Sequence, residues 1–249
     1  MIKEERQRLI LREVNLHNKV LTADLSALLN VSHDTINRDL KELIDSDKVI
    51  KVHGGAMSKF FATPFLKDTE IYAKEEKQII ATKALSLIKN DMVILTEGGT
   101  TMIELAKSIP DSLRVTFFTI SPQVAITLSD HSNLEVITIG GKLNKNANLH
   151  VGPSVINDLS GIKADLCFLG ANAFSPHEGL TDVDWDIVHV KKAIIRSARK
   201  VAVLSISEKL NTAQRIRICG LEEINYLVTE LDADHDMLSA YKRSSIALL

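Results

Sequence analysis

From Glu75 onward, short apolar runs rich in β-branched residues alternate with helical patterns, and this alternation restricts the fold more than any other feature of the chain. The runs are Met92–Thr96, Val115–Thr119, Leu134–Ile139, Leu166–Leu169, Val201–Leu204 and Tyr226–Thr229. They show little apolar–polar alternation, which is how strands buried on both faces read. Helical spacing falls between several of them, at Thr101–Ser108, Pro122–Leu128 and Asp184–Ala198. Strands alternating with helices predict a parallel, doubly wound α/β sheet. Such a sheet gathers ligand-binding groups at the carboxyl ends of its strands.

The first 57 residues have a different texture. Glu4 to Val14 fit an amphipathic helix. Thr22 is expected to cap a second helix, with Leu25, Leu28 and Leu29 on one face. Asn30-Val31 makes a tight turn, and Ser32 is placed to cap a third helix from His33 to about Asp45. Two helices joined by so short a turn predict a helix-turn-helix. On the third helix Ile36, Leu40 and Leu43 share a face that must be buried. The opposite face carries Asp34, Asn37, Arg38 and Lys41. Arg can pair with guanine in bidentate fashion and Asn with adenine, so this face suits the major groove of double-stranded DNA. Ser32 and Thr35, at the positive end of the helix, are placed to reach phosphates. Val49 to His53, followed by Gly54-Gly55, predict a two-stranded wing, with Lys48, Lys51 and His53 available to the DNA backbone. By pattern alone, a small helical protein-interaction domain with a solvated polar face fits the same residues. Charges from residue 1 to 60 nearly balance, so no strong basic patch is indicated.

At 249 residues the chain has room for one small domain and one of medium size. The expected division is a winged helix-turn-helix at 1–57, a linker at 58–74 marked by Ser58, Thr63 and Pro64, and an α/β domain at 75–249. No apolar run approaches the roughly 20 residues needed to span a membrane, and the charged start lacks a signal-peptide pattern. The expectation is a cytoplasmic protein without membrane attachment. Cys167 and Cys219 are far apart, outside any CxxC or Cys/His cluster, so they read as core residues and no metal site is expected. A formal net charge of -2 argues mildly against a general polyanion binder, although a DNA-reading head on an acidic body gives the same sum.

Leu95-Thr-Glu-Gly-Gly-Thr-Thr101 joins a strand to a helix. Glu97, Gly98, Gly99, Thr100 and Thr101 form a plausible anion cradle, because glycines admit close approach and the helix start is partly positive. The loop is neither a P-loop nor a dinucleotide fingerprint, so no cofactor is expected. Gly140-Gly141-Lys142, Gly170-Ala-Asn172 with Glu178-Gly-Leu-Thr181, and Lys209 each follow an expected strand. Singly, the glycines fit ordinary turn chemistry and Lys209 a solvated cation. Their convergence at strand ends favours a small anionic ligand.

Val31-Ser-His-Asp-Thr-Ile-Asn-Arg-Asp-Leu40, with His53-Gly-Gly-Ala56 following, resembles the head of the DeoR family of sugar-metabolism repressors. That family usually reads V-S-x-x-T-I-R-R-D-L and then R-x-H-G-G-A; Asn37 and Lys51 stand where it usually has Arg. The resemblance continues through Glu97-Gly-Gly-Thr-Thr101, Thr119 with Ala125, Gly140-Gly-Lys-Leu143 with Val151-Gly152, Leu169-Gly170, Gly179-Leu-Thr181, Val190-Lys-Lys-Ala193 and Ser207-Glu-Lys-Leu210. It implies a sensor domain similar in fold to ribose-5-phosphate isomerase, a phosphorylated sugar effector, a homo-oligomer, and an effector role for Lys191. Glu97 replaces the usual Asp, Ile120 an Asn, Ile187 and His189 acidic residues, and Ile206 an Asp. Phosphate recognition is then retained while the sugar has changed, or sensing has weakened. His189 and Trp185 are either part of an altered wall or plain surface residues.

The resulting expectation is a DNA-binding regulator, a repressor of carbohydrate-metabolism genes, controlled by a sugar phosphate and not an enzyme. The competing reading is a sugar-phosphate isomerase-like enzyme, which needs a positioned general base, and Glu97 is the carboxylate to nominate. A third is a DNA-binding protein controlled by a protein partner.

Overall fold

The computed structural model describes residues 1–59 and 71–249; most of the expected 58–74 linker lies outside the described residues. The chain divides into two compact units, Met1–Tyr72 and Ala73–Leu249.

In the first unit, helices α1 (Lys3–His17), α2 (Thr22–Leu29) and α3 (His33–Asp45) enclose a core of Ile10, Val14, Leu25, Ile36, Leu40 and Leu43. Strand β1 (Lys19–Leu21) precedes α2, and β2 (Val49–Val52) and β3 (Gly55–Ser58) follow α3. They form an antiparallel sheet in the order β1-β3-β2. The sequence indicated the β2–β3 wing but not β1, a strand too short to show a period of its own. Ser58, assigned to the linker from sequence, ends β3. The two wing glycines serve different ends. Gly54 takes φ +74°, which a side chain resists, whereas a Cβ on Gly55 would meet the Val20 carbonyl of β1 at 1.9 Å.

Two expectations for α2 fail. Its N-cap is Leu21, without a side-chain bond, while the Thr22 hydroxyl pairs with Asn37 Oδ1 at 3.3 Å. Leu28 is 60% exposed, because an eight-residue helix closes its core with Leu25 and Leu29 and leaves Leu28 on the rim.

The second unit holds seven parallel strands: β4 (Val93–Thr96), β5 (Val115–Thr119), β6 (Leu134–Thr138), β9 (Leu166–Gly170), β12 (Val201–Leu204), β14 (Tyr226–Val228) and β15 (Ala247–Leu248). Their order is β15-β14-β12-β9-β4-β5-β6, and every pairing is parallel. The chain starts at β4, runs outward through β5 and β6, then returns to the other side of β4 at β9. The order therefore reverses between β4 and β9, the place where a doubly wound sheet opens a crevice. Strands β9 and β12 are buried on both faces, as their apolar runs imply. Strand β6 is not. It is the sheet edge, and Glu135, Ile137 and Thr138 are exposed.

Helices α4 (Lys74–Leu85), α5 (Thr100–Lys107), α6 (Pro122–Ser129), α7 (Pro153–Ser160) and α8 (Trp185–Arg196) cover the sheet. Ser121 caps α6 with Pro122 in the first turn. Asp184 caps α8 by accepting from the Asp186 and Ile187 amides at 3.0 and 3.2 Å. A hairpin of β7 (Lys142–Asn144) and β8 (Leu149–Val151), and a small antiparallel sheet of β10 (Ala173–Ser175), β11 (Gly179–Asp182) and β13 (Ile216–Cys219), complete the unit. Cys167 and Cys219 are buried free thiols. Among the described residues no helix is long and apolar enough to cross a membrane.

Candidate functional site

In the first unit the candidate surface is the outer face of α3. Ser32 caps the helix: its hydroxyl accepts from the Thr35 amide at 3.2 Å and lies 2.9 Å from the Thr35 hydroxyl. Asp34, Asn37, Arg38 and Lys41 are exposed, as are Lys51 and His53 on the wing. Asp39, one residue from Arg38, points the opposite way. It is buried and grips Arg6 of α1 through both carboxylate oxygens. A bidentate pair of this kind fixes geometry as well as energy, so it pins α3 against α1 and sets which face looks outward. The hydrogen bond to Asp39 is the main influence raising the Arg6 pKa.

In the second unit the carboxyl ends of β4 and β9 bring charges together out of water. Glu97 follows β4 and is buried; its Oε1 accepts from the Gly170 amide at 2.5 Å. Lys191 of α8, also buried, donates to the Gly170 carbonyl at 2.9 Å and to Asp182 Oδ2 at 3.3 Å. Gly170 sits between the two because a Cβ there would stand 2.9 Å from Glu97 Oε1. Glu97 Oε2 is 3.4 Å from Lys191 Nζ, within ion-pair range, yet it accepts no hydrogen bond among the described residues. Thr96 Oγ1 is likewise buried without a partner. Asn172 donates to Asp182 Oδ1 at 3.1 Å, and the Thr119 hydroxyl braces the Glu97 carbonyl at 3.2 Å.

Burial raises the Glu97 pKa, against the pull of Lys191 and the Gly170 amide. Burial works against the Lys191 charge too, but the carboxylates of Glu97 and Asp182 outweigh it and hold the ammonium above its usual range. Asp182 is opposed by burial and still held below its usual range by Lys191, Asn172 and the Val183 amide. Lys209, just past β12, turns its ammonium inward to the Ala171 carbonyl at 3.0 Å, and burial first, then the Lys191 charge, lowers its pKa to about 8. It is not the solvated cation that a lone lysine suggests.

The loop from Glu97 to Gly99 joins β4 to α5. Gly99 caps α5 at φ +94°, a conformation that favours glycine, with open space where a Cβ would point. Gly98 is pressed against Ser121 and Leu149, and Thr100 is buried at the helix start, with Thr101 partly so. Gly140 and Lys142 are exposed, and Gly141 lies against Val155 and Val151, so this cluster shapes the hairpin. Trp185 is 63% exposed and meets His189 edge-on at 4.5 Å. Asn172 belongs to the Gly170-Ala-Asn172 cluster that the sequence singled out, whereas Asp182, next to the Gly179-Leu-Thr181 motif, escaped the sequence reading. Among the described residues no group of three or more His, Cys, Asp or Glu is placed to hold a metal.

The DeoR-like helix-turn-helix domain family matches residues 6–59, and the DeoR C terminal sensor domain family matches 72–231. The chain is 34% identical over 232 residues to the HTH-type transcriptional regulator GolR of Listeria innocua, covering 92% of this chain and 91% of that protein. It is 28% identical over 225 residues to the glycerol-3-phosphate regulon repressor of Haemophilus influenzae, covering 90% and 88%. Ribose 5-phosphate isomerase from Methanocaldococcus jannaschii overlays with a TM-score of 0.41 and 20% identity over 56% of this chain and 55% of that one. Together the two domain matches and the near full-length relatives show that this chain belongs to the DeoR family of helix-turn-helix transcriptional regulators.

Proposed function

We propose that this regulator represses carbohydrate-metabolism genes and that a phosphorylated sugar bound at the β4–β9 crevice sets its affinity for an operator. The observation that carries the reading is the buried Glu97–Lys191–Asp182 cluster beside the α5 start, in the same chain as an exposed α3 face. In this reading Arg38 and Asn37 address base edges, and Ser32, Thr35, Lys41, Lys51 and His53 address the backbone or its edges, with Asp34 bordering the contact. Gly98, Gly99, Thr100 and Thr101 form the anion cradle, with Lys209 near it. Glu97 and Asp182 accept from sugar hydroxyls, and Lys191 holds the carboxylates in place. Gly140, Gly141 and Lys142 serve as an outer margin.

Control requires that the ligand bind two conformations with different affinity, since equal binding shifts nothing. A homo-oligomer would set two heads on two half-sites. Affinity capture of fragmented genomic DNA on the purified protein, followed by sequencing, tests the reading. A few sites with a repeated half-site are expected, and their release by a sugar phosphate identifies a repressor. Recovery of nothing above background at moderate salt defeats it.

One observation favours the isomerase-like alternative. Glu97 is a buried carboxyl whose pKa is raised, a property useful to a general base. Turnover of any pentose or hexose phosphate by the pure protein would establish that alternative, whereas the proposal expects none.

A further inference from the structure

The parallel sheet of the second unit ends differently on its two sides. One edge is β15, only 2 residues long and too short to recruit another strand. The other is β6, which among the described residues pairs only with β5. Exposed sheet edges are ordinarily blunted by lysine, proline or a bulge. Strand β6 carries none of these: it reads Leu-Glu-Val-Ile-Thr, and its register with β5 is unbroken. Its one charge, Glu135, is engaged by the Thr116 hydroxyl at 3.0 Å.

The backbone of β6 shows which groups face outward. The Ile139 amide donates to the Thr119 carbonyl of β5 at 2.9 Å. Successive residues of a strand turn their backbone groups to alternate sides, so Glu135, Ile137 and Ile139 bond inward. Val136 and Thr138 therefore turn both N–H and C=O away from the sheet. Leu134 turns its carbonyl outward, its amide being engaged by the His131 carbonyl at 3.3 Å. Apolar surface lies beside these groups. Ile137 is 36% exposed, and α6, which packs on β6, leaves Ile126 63% exposed.

We propose that two copies of this chain join their sheets edge to edge at β6, antiparallel, about a two-fold axis at Ile137. In that register Val136 and Thr138 of each copy exchange both their backbone hydrogen bonds with Thr138 and Val136 of the other. Ile137 meets its own counterpart in the close, non-hydrogen-bonded position, and Glu135 faces Ile139. An axis at Glu135 would instead set like charges opposite each other. The axis stands perpendicular to the sheet, so both copies of α6 lie on one face and bring Ile126 toward the same contact. A second copy suits this edge because the edge complements itself in hydrogen bonding and in charge. Since β15 is too short to accept β6, the pairing closes at two sheets and does not run on into a fibre. The inference deepens the homo-oligomer of the proposed function by naming its surface.

Sedimentation velocity and disulfide trapping on the full chain, without DNA or ligand, test it. Ile137→Cys should cross-link two chains under mild oxidation, because residues facing each other in a non-hydrogen-bonded pair come within disulfide reach. Lys163→Cys, at an exposed position, should not. Cys167 and Cys219 are buried and do not compete. Val136→Pro removes only an outward amide, so it should leave the circular dichroism unchanged and weaken association about 30-fold, one hydrogen bond being lost on each side of the axis. Ile137→Lys and Ile137→Glu should each sediment as a smaller species than the natural chain. Their equimolar mixture should recover the natural size, which misfolded variants would not do. An oligomer unchanged by Ile137→Lys, or one that fails to trap Ile137→Cys, overturns the β6 interface and leaves the homo-oligomer reading intact. A natural chain that sediments as a monomer overturns both.

Discussion

The two units of this chain use charge in opposite ways. On α3 the charged and polar groups face solvent, and the single buried exception, Asp39, is paired with Arg6. At the carboxyl ends of β4 and β9 the charges are buried and paired with one another, as Glu97, Lys191 and Asp182 are. Exposed groups cost the fold nothing and are free to meet a polyanion. Buried groups cost desolvation and can be kept only in a network. A DNA-reading surface should therefore be separable from stability, whereas a ligand site built of buried charges should not.

The largest effect should come from breaking that network. Lys191→Ala would leave Glu97 and Asp182 buried without their cation and should destabilise the second unit by about 4 kcal/mol, read by denaturant unfolding. A loss below about 1 kcal/mol would mean that the cluster is wetter than its burial implies. Arg38→Ala should weaken binding to a captured operator by about 2 kcal/mol per half-site while leaving the Tm unchanged. Unchanged operator binding would remove Arg38 from the recognition surface. Asp39→Ala, on the hidden side of the same helix, should do the reverse and lower the stability of the head by roughly 2 kcal/mol, because it releases the Arg6 clamp. Ser32→Ala should cost about 1 kcal/mol through loss of the cap on α3.

The smallest effect is a pH dependence. Lys77 and Lys209 have folded-state pKa values of about 7 and about 8 against an ordinary 10.5, so between these limits the unfolded chain holds protons that the folded chain has released. The difference in stability between the natural protein and Lys77→Met should accordingly shift toward the natural protein as pH rises from about 7 to 10. A flat difference would show that Lys77 is hydrated. Lys209→Ala and Thr100→Val should each blunt the ligand response, and a response that survives both would displace the anion cradle.

Much of this architecture is legible in the sequence. Val115–Thr119 and Val201–Leu204 are strands with the expected bounds, and Ser32 caps α3, because each rests on local signals: β-branched runs and a hydroxyl before an amphipathic helix. Strand β6 misled because an apolar run carries no mark of whether another strand will flank it. Strands β1 and β15 are two or three residues long and exist only through pairing, as Lys19↔Met57 and Tyr226↔Ala247 show. The candidate site divides in the same way. The loop from Glu97 to Thr101 advertises itself by its glycines. Glu97, Asp182 and Lys191 have no shared spacing, and the fold brings them together from a strand end, a hairpin and a helix.

The sequence by itself determined the kinds of elements, their order, the polar outer face of α3 and the glycine turn at the start of α5, since all of these depend on neighbours along the chain. Tertiary structure alone decided that Asp39 would be hidden beside exposed Arg38, that Gly55 would make room for β1, and that Lys191 would lie between two carboxylates. Those outcomes depend on distance and dielectric, and both are created when remote segments exclude water from one another.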